Sequence, residues 1–213
     1  MIGYIPGVRA DQGTVEQRFE EALENAELFF MQTGKVHQAA LAIARRLDAE
    51  RIPYAIAGAL ALAAHGYERL TTDVDVLLTR DGLARLRSAI LGRGYVEKFP
   101  GSKGVRDTEH GVSIDVLIAG EFPGDGLPKP VAFPDPAGVA VEGERFRILS
   151  LHTLVELKLA SGMSAPHRLK DLADVLELVR AAKLPADLAA GLDPSVRDKY
   201  LELWRAAQIQ DPE

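Results

Sequence analysis

Residues 53–78 read PYAIAGALALAAHGYERLTTDVDVLL, and this stretch decides the predicted fold. The apolar run over residues 54–57 predicts a short strand, and Gly58 turns the chain after it. The small residues at 59–64 then predict a short helix that ends near Gly66. A strand that is followed by a helix and then by a second strand is typical of an α/β protein.

The second strand, predicted over residues 71–78, alternates apolar residues with Asp73 and Asp75. Side chains two positions apart in a strand share one face and lie about 6–7 Å apart. Two carboxylates in an apolar strand repel each other and resist desolvation, and a divalent cation would relieve both effects. Asp115, in a strand predicted over 112–119, supplies a third carboxylate. The pattern predicts a Mg²⁺ or Mn²⁺ site, and the alternative is a solvent-facing edge strand.

Outward from this stretch, the pattern predicts an α/β core followed by a purely helical subdomain. Helices are predicted over 14–31, 35–50, 81–92, 150–160, 167–182 and 194–208, and further strands over 95–99 and 146–149. Asp81 and Ser150 are the predicted N-caps of two of these helices. The Pro/Gly-rich residues 120–138 predict a loop that packs in an ordered way. The chain is predicted to divide into an N-terminal helical pair at 1–50, a core at 51–150 and a C-terminal helical subdomain at 151–213.

The composition is that of an ordinary globular protein. Of 213 residues, 47% are hydrophobic and 26% charged, and the net charge is −6. The sequence contains no cysteine, which excludes disulfides, thiolate metal clusters and thiol nucleophiles. The apolar run at 54–64 is too short to cross a membrane, and residues 1–13 do not resemble a signal peptide. We therefore expect a cytoplasmic protein with no membrane partner.

Several charged residues have both a functional and a structural interpretation. Lys158 lies in a helix that is apolar on most faces, so its charge needs a partner or a cleft. Arg69 is suited either to a triphosphate or to a surface ion pair. Asp171 and Asp174 share one helix face, which indicates either an exposed salt-bridged surface or contact with a nucleotide or with Lys158. Gly58 indicates either a phosphate-binding turn or a plain tight turn.

The histidines, and a basic stretch in the middle of the chain, indicate a functional role less clearly. His65 is expected to end its helix by bonding local carbonyl groups, and His110 and His152 are expected on the surface. The basic residues are Arg85, Arg87, Arg93, Lys98 and Lys103. An RNA partner would need a basic patch of this kind, because the whole chain is acidic.

Residues around Gly58, Asp73 and Asp75 resemble the signature of a known family. Ala57-Gly58-Ala59, followed after thirteen residues by Asp73-Val74-Asp75-Val76, resembles the signature of the DNA polymerase β-type nucleotidyltransferase superfamily. The longer string is similar to its bacterial branch of uncharacterised nucleotidyltransferases and AbiEii-like toxin enzymes. The matching positions are Gly58, Ala61, His65, Gly66, Arg69, Thr71, Asp73 and Asp75. The resemblance extends over about residues 53–180.

The resemblance implies a small mixed sheet flanked by helices and a transfer of a nucleoside monophosphate from a nucleoside triphosphate such as ATP to a hydroxyl group. It implies that the catalytic and metal-binding residues are Asp73, Asp75 and Asp115. It implies that the nucleotide-binding residues are Gly58, Ala59, Arg69, Thr72, Lys158 and Asp171. The acceptor would be an RNA end, including tRNA, a small molecule or a protein, and a toxin-type enzyme would have an antitoxin-like partner protein.

The chain departs from the family signature at one position. Ala59 stands where the signature has a second Gly or Ser, which removes a hydroxyl contact and leaves the backbone N–H in place. The alternative hypothesis is therefore a non-catalytic protein that keeps the fold and binds a nucleotide or a partner protein. The presence of all three carboxylates favours the enzyme, because a protein without activity need not keep like charges together.

Overall fold

The structure is a computed structural model, and it describes residues 34–209 together with residues 20, 22–24 and 26. Those five earlier positions are helical, and the rest of the predicted helix 14–31 lies outside the described residues. No helix in this part of the chain has both the length and the apolarity that a membrane span requires.

The described chain alternates helices and strands up to residue 149 and is helical beyond it, in the predicted order. The helices are α1 (Lys35–Ala49), α2 (Gly58–Ala64), α3 (Arg80–Ile90), α4 (Pro136–Val139), α5 (Leu151–Ser164), α6 (Leu169–Ala181) and α7 (Pro194–Ala207). Two short 3₁₀ helices lie at Pro166–Arg168 and Ala186–Gly191. The strands are β1 (Ala55–Ile56), β2 (Asp73–Leu78), β3 (Tyr95–Glu97), β4 (Val105–Asp107), β5 (Ser113–Ile118), β6 (Ala140–Glu142) and β7 (Arg147–Leu149).

These strands form one mixed sheet in the order β3-β4-β5-β2-β1-β7-β6 within the described residues. The central pair, β2 and β5, is parallel, and so is the pair β1 and β7. The other neighbouring strands run antiparallel. The predicted fold class, a mixed sheet flanked by helices, is confirmed.

Helices pack on both faces of the sheet and form two apolar cores. Val74, Val76 and Leu78 of β2 point to one face and belong to the core that includes α1 and α3. Leu77 points to the other face and belongs to the core formed with the C-terminal helices. Since side chains alternate along a strand, Asp73 and Asp75 lie on the same face as Leu77. The two carboxylates therefore share a face with helices α5 and α6.

The structure corrects several local predictions. Thr79, not Asp81, caps α3: its hydroxyl accepts a hydrogen bond from the Gly82 N–H at 2.9 Å, and Asp81 lies in the first turn. Ser150 precedes α5 without a side-chain cap bond, because its hydroxyl bonds Thr153 instead.

Two short strands, the internal strand β4 and the edge strand β6, were not predicted. Strands β4 and β6 have three residues each, and β4 carries Arg106 between two buried residues. Strands this short show little alternation, so only pairing with β5 and β7 reveals them. The predicted loop 120–138 is ordered as expected, although helix α4 begins within it at Pro136.

Candidate active site

The two central strands bring the three predicted carboxylates together. In the parallel pairing of β2 and β5, Asp75 lies directly opposite Asp115, and Asp73 lies opposite Ser113. All three carboxylates are partly buried on one face of the sheet. The sequence pattern predicted Asp73 and Asp75 as a pair, and the register between the strands adds Asp115 beside them.

Gly58 provides the space that Asp75 occupies. Its φ of +59° lies in the left-handed region, and a Cβ atom on Gly58 would lie only 1.9 Å from Oδ2 of Asp75. An alanine here would therefore be strained in its backbone and would collide with the carboxylate. The structural role of this glycine is to let β2 and the start of α2 approach each other around an acidic side chain.

The environment of Asp75 favours its neutral form. Burial is the largest cause, the charge of Asp73 is the next, and together with Asp115 they raise the pKa of Asp75 to about 6. Lys158 and Arg69 act in the opposite direction, but their effect is smaller. A carboxylate whose charge is disfavoured by two neighbouring carboxylates is a good position for a cation to bind.

Neighbouring side chains already engage the other two carboxylates. Thr71 donates its hydroxyl proton to Asp73 at 2.5 Å, and the Lys98 ammonium donates to Asp115 at 2.6 Å. Among the residues that the structure describes, no three His, Cys, Asp or Glu side chains are arranged to hold a metal ion together. The three carboxylates are therefore neighbours on one face rather than a preformed cluster.

The donor chemistry of this group nevertheless fits a hard divalent cation. Mg²⁺ binds carboxylate oxygens and usually takes only one or two protein carboxylates, with the rest of its ligands from water and substrate phosphates. Asp73, Asp75 and Asp115 offer only oxygen, and they raise each other's electrostatic cost. The Lys98 ammonium contacts Oδ1 of Asp115, so an ion that binds through this oxygen must displace it.

A buried ion network lies beside the carboxylates and joins α5 to α6. The ammonium of Lys158 donates to Asp174 at 2.6 Å and to Asp171 at 3.1 Å, and all three residues are buried. Burial opposes ionisation of Asp171, but Lys158, Ser161 and Arg168 outweigh it and lower the pKa of Asp171. The interpretation of Asp171 and Asp174 as an exposed salt-bridged surface is therefore wrong, whereas the predicted contact with Lys158 is confirmed.

Arg69 belongs to the same network. Its guanidinium group binds Asp174 through two hydrogen bonds, 2.7 Å from Nε to Oδ1 and 3.0 Å from Nη2 to Oδ2. The side chain of Arg69 is 19% exposed. Asp174 thus forms ion pairs with both Arg69 and Lys158, and it links the connection before β2 to the C-terminal helices.

A cavity of about 320 Å³ opens onto this region. Of the predicted site residues, it is lined by Gly58, Asp75, Lys158 and Asp171. Ser161 and Arg168 complete a polar wall. Arg168 donates to the Ser161 hydroxyl at 3.0 Å and pairs with Asp171 at 2.6 Å. The cavity volume falls within the range of small-molecule sites in proteins.

Three predicted nucleotide-binding residues do not line the cavity. Ala59 is buried directly after Gly58, Arg69 pairs with Asp174, and Thr72 is exposed just before β2. Their assignment to nucleotide binding stays a prediction.

Sequence reasoning missed four residues of this region: Lys98, Ser161, Arg168 and Phe122. Lys98 follows β3 and Asp115 lies on β5. Their contact depends on the order of the strands, in which β4 lies between β3 and β5. Arg168 and Ser161 are on separate helices that meet only after packing. The sequence feature next to these residues is the segment MSAPH at 163–167, which lies between Ser161 and Arg168.

The histidine predictions are corrected in two cases. His65 follows α2, but its Nε2 lies 2.7 Å from the carbonyl oxygen of Leu149, a distant residue rather than a local one. The Nδ1 atom of His110 lies 2.7 Å from Asp107, and its side chain is only 15% exposed. His152 is exposed, as predicted.

The basic stretch does not form a free cationic patch. Arg87 pairs with Glu97, and Lys103 pairs with Glu121. Arg85 and Arg93 donate to main-chain carbonyl groups of Glu50 and Ala89. Lys98 pairs with Asp115, so three of the five basic residues are ion-paired within the described part of the chain.

No protein-family model matches the sequence, and no curated protein matches it significantly. Some solved structures share part of its outline. ANT(2″)-Ia in complex with adenylyl-2″-tobramycin is 15% identical, with a TM-score of 0.47, and the alignment covers 78% of this chain and 95% of that chain. TM1012 from Thermotoga maritima, provisionally described as a nucleotidyltransferase, is 15% identical, with a TM-score of 0.44 and coverages of 79% and 98%. JHP933 from Helicobacter pylori is 18% identical, with a TM-score of 0.33 and coverages of 89% and 91%. Identities and TM-scores this low assign no family to the chain.

Proposed function

We propose that this protein is a metal-dependent nucleotidyltransferase, which moves a nucleoside monophosphate from a nucleoside triphosphate to a hydroxyl acceptor. The observation that carries the proposal is the position of Asp75. It lies between Asp73 and Asp115 on one face of the sheet, and it faces the same cavity as Lys158. One oxygen ligand for a dication, Asp75, and a cation for phosphate, Lys158, thus line the same cavity, and Asp73 and Asp115 lie next to Asp75 in the sheet.

In the proposed enzyme, Asp73, Asp75 and Asp115 hold Mg²⁺ or Mn²⁺. When bound, the ion supplies positive charge that offsets the charge of the triphosphate and of the three carboxylates. The raised pKa of Asp75 supports this role, because a bound ion offsets the burial and the two neighbouring charges that make the charged form costly.

Lys158 and Arg168 are the cations placed to receive the triphosphate. Both line the cavity, and both are held in place by Asp171. An ammonium and a guanidinium group that are already positioned stabilise phosphoryl charge without reorganisation during the reaction. The negative charge on Asp171 offsets the repulsion between these two cations.

The reaction requires one bond to form and one to break. The acceptor oxygen attacks the α-phosphorus, the bond between the α- and β-phosphates breaks, and its electron pair leaves with pyrophosphate. Asp115 accepts the proton of the acceptor hydroxyl once Lys98 has left the oxygen that it contacts. The protein contributes mainly by positioning the reactants and by electrostatic stabilisation.

The acceptor classes remain those that the resemblance implies: an RNA end, a small molecule or a protein. A triphosphate labelled at the α-phosphate, incubated with each class, identifies the acceptor by transfer of the label. A toxin-type enzyme would in addition lose this activity when it binds an antitoxin-like partner protein.

The proposal is tested by thermal unfolding of the wild type and of the double variant Asp73→Asn/Asp75→Asn. Each of the four ribonucleoside triphosphates is added with and without Mg²⁺. Binding to the native state stabilises it by about 2.7 kcal/mol when the ligand is at a hundredfold excess over Kd. We expect a Mg²⁺-dependent rise of the midpoint in the wild type and none in the double variant.

A matched control is Asp198→Asn, which neutralises an exposed carboxylate on α7. This variant should keep the full nucleotide-dependent shift. If no nucleotide shifts the wild type, the proposed enzyme is wrong, and the non-catalytic alternative with a protein partner takes its place. A shift that persists in the double variant would place the nucleotide elsewhere.

A further inference from the structure

The lining of the cavity beside Asp75 combines polar and apolar residues. The polar wall comprises Asp75, Lys158, Ser161, Arg168 and Asp171, together with Gly58. The apolar members of the lining, which we call the apolar wall, include Leu117, Phe122, Phe133, Leu154 and Leu157. A ligand that contacts both sets of residues has a strongly charged part and a flat or apolar part. A nucleoside triphosphate is such a molecule.

Phe122 stands out among the residues of the apolar wall. Phe133 and the leucines pack against the C-terminal core, whereas Phe122 belongs to neither of the two apolar cores found among the described residues. Its ring is only partly buried and lines the cavity. An aromatic side chain that the core does not use has its face available for a ligand.

The loop around Phe122 is held in place from two directions. On one side, the N–H of Gly120 donates to Phe133 at 2.8 Å, and the N–H of Phe133 donates to Glu121 at 2.8 Å. On the other side, Gly124 approaches helix α5 so closely that a Cβ atom would lie 2.1 Å from the Ser164 hydroxyl oxygen. The ring therefore sits on a short, doubly anchored segment.

Lys129 supports the ring from a side that does not face the cavity. Its ammonium lies 5.8 Å from the centroid of Phe122, and Lys129 does not line this cavity. Three oxygen atoms fix the ammonium: it donates to Pro123 at 2.7 Å, to Leu127 at 2.7 Å and to Asp125 at 2.6 Å. A cation in this position contributes a favourable cation–π contact and helps to hold the orientation of the ring.

We propose that Phe122 is the stacking platform for the purine or pyrimidine base of the nucleoside triphosphate. The proposal rests on the proposed function, and it adds the residue that binds the base. Lys158 and Arg168 bind the phosphates, and Phe122, which lines the same cavity, binds the base. Because every base has a π face, this contact binds nucleotides without selecting among them by hydrogen bonds.

The test compares ATP with inorganic tripolyphosphate, each with Mg²⁺, by titration calorimetry on the full chain. Tripolyphosphate keeps the chain of three phosphates but has neither the ribose nor the base. We expect Phe122→Leu to weaken ATP binding by roughly fivefold or more and to leave tripolyphosphate binding unchanged. Phe122→Tyr keeps the aromatic face and should retain the ATP affinity of the wild type.

The matched control is Phe99→Leu, because Phe99 is 63% exposed and does not line the cavity. It should leave both ligands unaffected. A second readout is Phe122→Trp, whose added fluorescence should be quenched by ATP and not by tripolyphosphate. A merely structural role for Phe122 would not produce this difference.

The outcomes separate the two proposals. If Phe122→Leu leaves ATP binding unchanged, or weakens ATP and tripolyphosphate equally, the stacking proposal is overturned and the proposed function stands. If neither ligand binds the wild type, the proposed function itself is wrong, and the stacking proposal falls with it.

Discussion

At the scale of single residues, Asp75 combines a functional position with a cost to stability. Gly58 leaves space for its carboxylate, while burial and the neighbouring acids raise its pKa to about 6. An unfolded aspartate titrates near 3.9. Because the folded pKa is the higher one, ionised Asp75 lowers the stability of the metal-free protein at neutral pH. A shift of that size corresponds to about 3 kcal/mol at most.

Asp75→Asn should therefore stabilise the metal-free protein at pH 7 while it abolishes transfer. The gain should be full well above pH 6, should shrink as the pH falls from about 6 towards about 4, and should vanish below both pKa values, where Asp75 is protonated in both states. Urea unfolding at several pH values measures this difference. Asp198→Asn, on the exposed surface of α7, should show no such dependence. A gain for Asp75→Asn that does not vary with pH would contradict the electrostatic explanation.

Lys98 competes with a metal ion for Asp115. Its ammonium is 2.6 Å from the carboxylate, and both side chains are partly exposed. Lys98→Met should therefore tighten Mn²⁺ binding in the absence of nucleotide by up to about fivefold, the size of an exposed ion pair. Titration calorimetry with Mn²⁺ measures the change. Lys103→Met removes the same charge from a pair with Glu121 and should have a smaller effect. Equal effects of the two variants would mean that the affinity for Mn²⁺ depends on the net charge of the protein and not on the contact between Lys98 and Asp115.

At the scale of elements, the ion network makes the packing of α5 on α6 electrostatic as well as apolar. Lys158 is 9% exposed and Asp174 2% exposed, so both charges depend on each other for compensation. Small residues also allow close contact, since a Cβ on Gly162 would lie 2.6 Å from the side chain of Leu172. The polar wall of the cavity is therefore built by the same contacts that hold the two helices together.

Lys158→Met should destabilise the protein by roughly 2–4 kcal/mol, because it leaves buried carboxylates with less counter-charge. Arg69 and Arg168 remain and limit the loss. Adding Asp171→Asn to Lys158→Met should recover part of the lost stability, since one of the buried carboxylates is then replaced by a neutral amide. Urea unfolding followed by tryptophan fluorescence reports these changes.

The control for this prediction is Lys199→Met, which breaks an exposed pair with Glu202 on α7. We expect a loss of less than about 1 kcal/mol. If the two lysine variants lose equal stability, the buried network contributes no more than a surface pair. In that case, the apolar contacts alone hold α5 and α6 together.

At the scale of the whole molecule, one sheet connects the two apolar cores. Neighbouring residues of a strand serve opposite cores: Ile56 and Val76 belong to the core of α1, and Ala55 and Leu77 belong to the core of the C-terminal helices. The predicted division at residue 150 separates the sheet from the C-terminal helices, which share one apolar core with it. We therefore expect the described part of the chain to unfold as one cooperative unit.

This cooperativity can be measured because the chain contains a single tryptophan. Trp204 packs against the core of the C-terminal helices, whereas Ile43 of α1 is buried in the other core. Ile43→Ala should destabilise the protein by about 2–5 kcal/mol and shift the Trp204 transition together with the circular dichroism transition. If the Trp204 signal does not move, residues 151–213 unfold as an independent subdomain.

The sequence pattern predicted the central elements well because their signals are local. Alternation in β2 and β5 and helical periodicity in α1, α6 and α7 match the structure to within a few residues. The strands β4 and β6 were missed because three residues carry too little alternation to detect. The cap of α3 was misplaced because Thr79 and Asp81 are both good cap residues, and only the backbone conformation selects between them.

The candidate site divides in the same way. The sequence pattern alone predicts that Asp73 and Asp75 share one face, because side chains two residues apart in a strand point to the same side. It also determined that Lys158 needs a partner, since a lone charge in an apolar helix is costly. Only the tertiary structure decided that Asp115 lies opposite Asp75, that Lys98 contacts Asp115, and that Phe122 forms a cavity wall. These relations depend on register and on packing between distant segments, which no local pattern encodes.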